Sequence, residues 1–148
     1  MSHTYISDLV HCVFSTKQRR NLITDDIRSD LWAFLGGIAR KNGFKALIVG
    51  GTDNHVHILL SLPATMALAK AVQLIKGASS RWMNEKHTSD FAWQEGYGAF
   101  TVGISQKDHT IACIRSQAEH HSKRSFEEEL LAFLKRHCVE YDPQHVWG

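Results

Sequence analysis

The order of strand-like and helix-like patterns is the feature that most limits the fold of this chain. Runs rich in β-branched and aromatic residues, typical of strands, lie at residues 4–14, 44–49, 55–62 and 96–104. Apolar residues at helical spacing lie at residues 25–42, 65–86, 106–121 and 126–137. The first seven of these segments follow the order strand, helix, strand, strand, helix, strand, helix, which is typical of the split βαβ arrangement. We therefore predict an α+β, ferredoxin-like fold with a mostly antiparallel sheet and helices on one face.

Length and composition predict one domain over residues 1–148. A chain of 148 residues with 43% hydrophobic content can bury a core without disulfides or metals. The cysteines are three in number, widely spaced and without a CxxC pair, which favours a reducing compartment. No stretch approaches the roughly 18 to 20 apolar residues that span a bilayer. We expect a cytoplasmic, soluble protein with no membrane partner.

Two histidines lie one residue apart in the segment DNHVHILL, residues 53–60. Side chains alternate along a strand, so His55 and His57 share one face, and helices are expected to cover the opposite face with Val56 and Ile58. Two imidazoles on one face can bind one divalent cation, with Asp53 as a ligand or supporting partner. The alternative is that both histidines are polar residues on the solvent side of a half-exposed sheet.

A polar stripe on the predicted helix at residues 106–121 is a second candidate. Cys113, Gln117 and His121 fall at i, i+4 and i+8 and therefore share one side of a continuous helix. A ferredoxin-like sheet could bring this stripe against the strand histidines. The alternative is an ordinary solvated helix face.

Several blocks together resemble the small single-tyrosine HUH transposases of bacterial insertion sequences and their domesticated relatives. These blocks follow one another over nearly the whole chain: HCVFSTKQRR, GGTDNHVHILL, IKGASSRWMNE, GYGAFTVGISQ and IRSQAEHHSKRSFEEELLAFLKRHCVEYD. The resemblance implies a homodimer that recognises single-stranded DNA hairpins at the ends of mobile elements. It also implies that such a protein cuts and rejoins DNA strands without nucleoside triphosphates.

The resemblance further implies a metal site. The histidine pair of the family binds Mg²⁺ or Mn²⁺, and it matches His55 and His57. The glutamine that completes the family's site matches Gln117. A cation held there would stabilise the charge that develops on the scissile phosphate.

The nucleophile position departs from the family. The tyrosine of the family lies four residues before the glutamine, where this chain has Cys113. Cys113 could attack as a thiolate, or it could join the metal site and favour Zn²⁺. A third interpretation is a degenerate or domesticated copy that keeps its fold, dimer and DNA binding but no longer transfers strands. The other tyrosines, Tyr5, Tyr97 and Tyr141, are weak candidates for a displaced nucleophile.

Basic residues near two predicted elements are candidates for contacts to DNA phosphates. The formal net charge is only +2, so attraction to nucleic acid depends on local clusters. The predicted contacts are Lys17, Arg19, Arg20, Lys76 and Arg81. For the cluster at residues 17–20 the alternative is a solvated loop.

Other classes of function remain open from the sequence. The leading hypothesis is a transposase-like protein that binds hairpin DNA, with strand transfer in question because of Cys113. A binding-only protein differs from it only by the absence of cleavage. A structural Cys/His metal protein without a role in DNA is a further alternative. An RNA-binding ferredoxin-like module ranks last because the chain lacks the aromatic motifs of such modules.

Overall fold

A computed structural model describes residues 3–117 and 125–136 of the chain. The strands are β1 (Leu9–Ser15), β2 (Lys45–Gly51), β3 (His55–Ser61) and β4 (Gly98–Val102). The helices are α1 (Asp25–Lys41), α2 (Leu68–Lys86), α3 (Lys107–Arg115) and α4 (Phe126–Arg136). Short 3-10 turns lie at Lys17–Arg19 and Ile104–Gln106. Among the described residues, no helix is long and apolar enough to cross a membrane.

The four strands form one sheet in the order β2-β3-β1-β4, and every neighbouring pair is antiparallel. The central strand pair aligns Val13 of β1 with His57 of β3, and β2 places Gly50 beside His57 on the other side. The predicted α+β class with an antiparallel sheet is confirmed. β1 begins at Leu9, later than the predicted start at residue 4.

One face of the sheet is covered by α1 and α2 and forms the main apolar core. In α1, Asp25 and Asp26 lie in the first turn and Arg40 and Lys41 in the last, where they complement the helix dipole. Apolar side chains repeat along the buried side of this helix. The buried residues of this core include Cys12, Phe14, Leu31, Leu35, Val56, Ile58 and Ile75.

The opposite face is covered by α3 and α4. The prediction placed helices on one face only, whereas the described part of the chain has helices on both. Two small apolar clusters join these helices to the sheet. They contain Leu9, Leu59 and Ile114 around α3, and Val13, Phe100, Phe126, Leu130 and Leu134 around α4. The side chains on the histidine face are therefore enclosed between a sheet and two helices.

A glycine allows α3 to approach the sheet closely. A Cβ atom added to Gly50 would lie 2.2 Å from the backbone oxygen of Ile114. Because Gly50 pairs with His57, this contact places α3 one strand away from the histidine pair. The helix ends at Arg115, not at residue 121 as predicted, and Ser116 forms a turn. His121, the last residue of the predicted polar stripe, lies outside the described residues.

Candidate metal and DNA site

The histidine pair lies inside the molecule. His55 and His57 are each 1% exposed, and their ring centroids are 5.2 Å apart. The ring of Phe126 from α4 stacks on His55 with centroids 4.7 Å apart. This burial rules out the alternative of polar residues on a solvated sheet face. Buried imidazoles need partners, because burying a polar group without a hydrogen bond is costly.

Neighbouring side chains orient the His55 ring. Its Nδ1 atom lies 2.8 Å from Oδ1 of Asn54 and 3.0 Å from Oγ1 of Thr52. An amide oxygen can only accept, so Nδ1 carries the proton in this contact, and in the neutral ring Nε2 then carries the lone pair. The sequence suggested Asp53 as a ligand or supporting residue, whereas the side chains that hydrogen-bond to Nδ1 of His55 are those of Asn54 and Thr52. The backbone oxygen of Asp53 accepts a hydrogen bond from the Ile23 amide.

Two further buried residues contact His57. His11 of β1 places its Nε2 atom 2.8 Å from Nδ1 of His57. Glu129 of α4 places Oε1 3.0 Å from Nε2 of the same ring. His11 is 5% exposed and Glu129 is 8% exposed. His57 therefore lies between a third imidazole and a carboxylate, neither of which the sequence pattern singled out.

Cys113 and Gln117 lie at the end of α3 and just beyond it. Gln117 is buried, and its Nε2 atom donates a hydrogen bond to the backbone oxygen of Cys113 at 3.4 Å. The Sγ atom of Cys113 lies 3.5 Å from Nε2 of His109. Burial and then the negative charge of Glu129 raise the pKa of the Cys113 thiol above 9.0, and Arg136 partly opposes this. The thiol is therefore protonated at neutral pH.

The donor chemistry fits a divalent cation of hard to borderline character. Imidazole nitrogens with an amide or carboxylate oxygen suit Mn²⁺ and related ions. The engaged Nδ1 atoms of His55 and His57 follow the pattern of outer-shell partners around metal-binding histidines. Across residues 3–117 and 125–136, no three His, Cys, Asp or Glu side chains form a group that could hold a metal. The Cys/His zinc site considered from the sequence is thus absent from the described residues, and a cation here needs another donor, for which Gln117 is the candidate.

A basic turn lies next to His55. Lys17, Arg19 and Arg20 follow β1, and the Thr16 hydroxyl donates to the backbone oxygen of Arg20 at 2.6 Å. The amide of Thr16 also bonds to the backbone oxygen of Asn54 at 2.9 Å, which ties the turn to the residue that orients His55. Within the turn, Gln18 and Arg19 have positive φ values of 58° and 55°. The Arg19 side chain pairs with Glu127 of α4, with Nε and Oε1 2.7 Å apart.

The other two predicted DNA contacts lie elsewhere. The Lys76 ammonium donates to the backbone oxygens of Gln94 at 2.8 Å and Gly96 at 2.6 Å, and it lies over the Phe14 ring. Burial lowers the pKa of Lys76 below 10.5. Arg81 is exposed and lines a groove of about 930 Å³ between α1 and α2. The five basic residues therefore do not form one patch.

Two solved structures share the fold of this chain. A crystal structure from Deinococcus radiodurans R1, assigned as a transposase, has a TM-score of 0.62 at 24% identity. The aligned region covers 78% of this chain and 97% of the Deinococcus chain. The REP-associated tyrosine transposase, solved bound to a REP hairpin, has a TM-score of 0.61 at 15% identity and covers 82% of this chain and 73% of that chain.

Sequence comparison gives the family. The profile described as "Transposase IS200 like" matches residues 5–117. The ISDra2 transposase TnpA of Deinococcus radiodurans is 28% identical over 114 residues, which is 72% of this chain and 81% of that protein. The transposase of insertion sequence element IS200 from Salmonella typhimurium is 26% identical over 110 residues, 70% of this chain and 72% of that protein. The chain belongs to the IS200-like transposase family.

Proposed function

We propose that this protein binds single-stranded hairpin DNA at the ends of a mobile element, as a homodimer, and does not cut it through Cys113. A divalent cation, Mg²⁺ or Mn²⁺, is held by His55, His57 and Gln117. We propose that the protein acts in the cytoplasm. The observation that carries the proposal is Cys113 on α3, at the position where the resemblance implies a tyrosine, in a domain that keeps the buried pair His55 and His57.

Membership of the family supports a transposase-like role in DNA binding. The REP-associated relative was solved with a REP hairpin, which makes a hairpin the substrate to test first. In this chain, the exposed side chains of Lys17 and Arg20 lie in the turn beside His55, so a phosphate contacted by them is close to the histidine pair. Binding through such contacts weakens steeply with salt because counterions are released from DNA.

The side chains around the site have separable roles. A bound cation would supply charge stabilisation at a non-bridging phosphate oxygen. Asn54 holds the His55 ring through Nδ1, and Phe126 stacks on that ring and helps to exclude water. Gln117 lies two residues beyond the end of α3, the helix that Gly50 allows to contact the sheet. These contacts keep the site formed even though the nucleophile position has changed.

Cys113 is poorly suited to attack a phosphodiester. A thiolate is the reactive form of cysteine, and the raised pKa keeps the Cys113 thiol protonated near neutral pH. Tyr97 does not replace Cys113 as a nucleophile. The centroid of its ring lies 5.6 Å from the Lys76 ammonium, which also lies over the Phe14 ring. Tyr97 is therefore on the side of the sheet that α2 covers. Tyr5, 90% exposed, precedes β1. Tyr141 lies outside the described residues.

The test is a cleavage assay on labelled single-stranded hairpin DNA with Mn²⁺. The unchanged protein is compared with Cys113→Tyr, with the matched control Cys113→Phe, and with His57→Ala in each background. We expect hairpin binding by all Cys113 variants and a covalent protein–DNA adduct only with Cys113→Tyr. His57→Ala should abolish that adduct.

Two results would contradict the proposal. Cleavage or an adduct with the unchanged protein would make it an active strand transferase. Equal affinity for hairpin and random single strands would remove the role in hairpin recognition.

A further inference from the structure

We propose that His11 is a positioning residue that holds the His57 ring with Nε2 directed to the bound cation. This inference rests on the metal site of the proposed function and extends it to a third histidine. It concerns a residue on a different strand that would not itself contact the metal.

The contact between the two rings is set by the sheet. His11 lies two residues before Val13, which pairs with His57, so the two side chains project from the same face of neighbouring strands. Nε2 of His11 and Nδ1 of His57 are 2.8 Å apart, and both residues are buried. The rings of His11 and Phe133 are nearly perpendicular, with centroids 5.0 Å apart. His11 therefore has one well-defined position relative to His57.

The chemistry of imidazole makes this contact informative. A neutral imidazole has one N–H and one lone pair, on different nitrogens. If Nε2 of His57 binds a cation, Nδ1 must carry the proton and needs an acceptor. Nε2 of His11 is in position to accept it. Asn54 does the same for Nδ1 of His55, so both candidate ligands have the same arrangement.

Glu129 favours the opposite arrangement at His57. Its carboxylate oxygen lies 3.0 Å from Nε2 and can only accept, so it stabilises a proton on the nitrogen that the metal requires. An acceptor at Nδ1 opposes this preference. We infer that removing the His11 acceptor leaves His57 with its proton on Nε2, bonded to Glu129, and that metal affinity falls.

The experiment measures Mn²⁺ affinity by calorimetry in the absence of DNA, together with the His57 tautomer by long-range ¹H–¹⁵N NMR of the metal-free protein. The test variant His11→Leu removes the acceptor and keeps an apolar side chain. His11→Gln restores an acceptor oxygen. Phe133→Leu is the matched control, because it changes the packing around His11 and leaves the imidazole in place.

We expect His11→Leu to lower Mn²⁺ affinity about 10- to 100-fold, the usual effect of losing an outer-shell partner. The NMR signals of His57 should move toward the Nε2–H tautomer. His11→Gln should recover most of the affinity, and Phe133→Leu should stay close to the unchanged protein. Recovery by glutamine separates a hydrogen-bonding role from a purely structural one.

The outcomes separate this inference from the proposed function. Mn²⁺ binding that is unaffected by His11→Leu overturns the positioning role and leaves hairpin binding intact. No Mn²⁺ binding by the unchanged protein overturns both the metal site and the role of His11. Mn²⁺ binding that depends on His11, in a protein with no preference for hairpins, supports this inference and contradicts the proposed DNA substrate.

Discussion

The two faces of the central sheet are built from alternate residues of the same strands, yet they differ in chemistry. Toward α1 and α2, β1 and β3 present apolar residues such as Phe14 and Ile58. Toward α3 and α4, they present His11, His55 and His57, all buried. The first face needs only shape and apolar area, whereas each imidazole on the second needs a specific partner. Stability and chemistry can therefore be changed separately by substitutions one residue apart.

The largest effect is expected on the apolar face. Phe14→Ala removes a fully buried ring that packs edge-on against Trp93, and it should lower the free energy of unfolding by about 3 to 5 kcal/mol. Urea denaturation measures this loss. The folded fraction should keep its Mn²⁺ affinity. A loss of metal affinity in folded protein would contradict the separation of the two faces.

On the histidine face, the largest effect is expected in metal binding. His57→Ala removes a candidate ligand and should weaken Mn²⁺ binding by more than about 100-fold, beyond the cost of losing an outer-shell partner. Calorimetry on the folded variant measures it. His109→Ala is the matched control, because His109 is exposed and lies at the edge of the site, beside Cys113. Equal effects of the two substitutions would argue against His57 as a ligand.

The packing of α3 against the histidine face depends on the glycine at position 50, which has no side chain. Gly50→Ala places a methyl group against the backbone of Ile114, and overpacking of this kind costs about 1 to 3 kcal/mol. Gly77→Ala is the matched control on α2, where no atom lies within 4 Å of the added Cβ. It should raise stability by about 0.5 to 1 kcal/mol, because alanine favours the helix. Chemical denaturation that gives both variants the same sign would contradict this account.

A smaller effect distinguishes which face binds DNA. Arg20→Ala, in the exposed turn beside the histidine site, should reduce the slope of log affinity against log salt by about one for a hairpin. Arg81→Ala, in the groove between α1 and α2, should leave the slope unchanged. Fluorescence anisotropy across a salt series measures both. The reverse result would place the DNA on the α1 and α2 face.

The smallest effect concerns the two described cysteines. Burial raises the pKa of Cys12 to about 12, and the pKa of Cys113 is raised above 9.0. Alkylation requires the thiolate, so a raised pKa moves the reaction to higher pH. In a Cys138→Ser background, mass spectrometry should find Cys113 modified with a midpoint above pH 9.0 and Cys12 protected in folded protein. Rapid modification of Cys113 at neutral pH would reopen its role as a nucleophile.

The local parts of this structure could be predicted from the sequence. Alternation in DNHVHILL correctly placed both histidines on one strand face, and Asn42 with Gly43, at a φ of 84°, marked the end of α1. These features depend on residues that are neighbours in the chain. The roles that the sequence suggested for Gln117 and Cys113 stay predictions.

The contacts that complete the site could not be predicted in this way. The pairing of His11 with His57 requires the register between β1 and β3, which depends on the packed sheet as a whole. Glu129 lies in a run of glutamates that is typical of a solvated helix, and only the docking of α4 brings it to His57. The sequence of residues 106–121 likewise predicts one continuous helix, but α3 ends at Arg115.

The left-handed backbone of Gln18 and Arg19 has a consequence for the kinetics of recognition. Two consecutive non-glycine residues in this conformation cost about 1 kcal/mol each, and the bonds from Thr16 hold them there. The entropy of ordering the turn is therefore lost when the protein folds, not when a polyanion arrives. A flexible loop would lose that entropy each time it binds, whereas this turn has its bound conformation before the ligand arrives. The association rate of the protein should therefore depend on charge and diffusion.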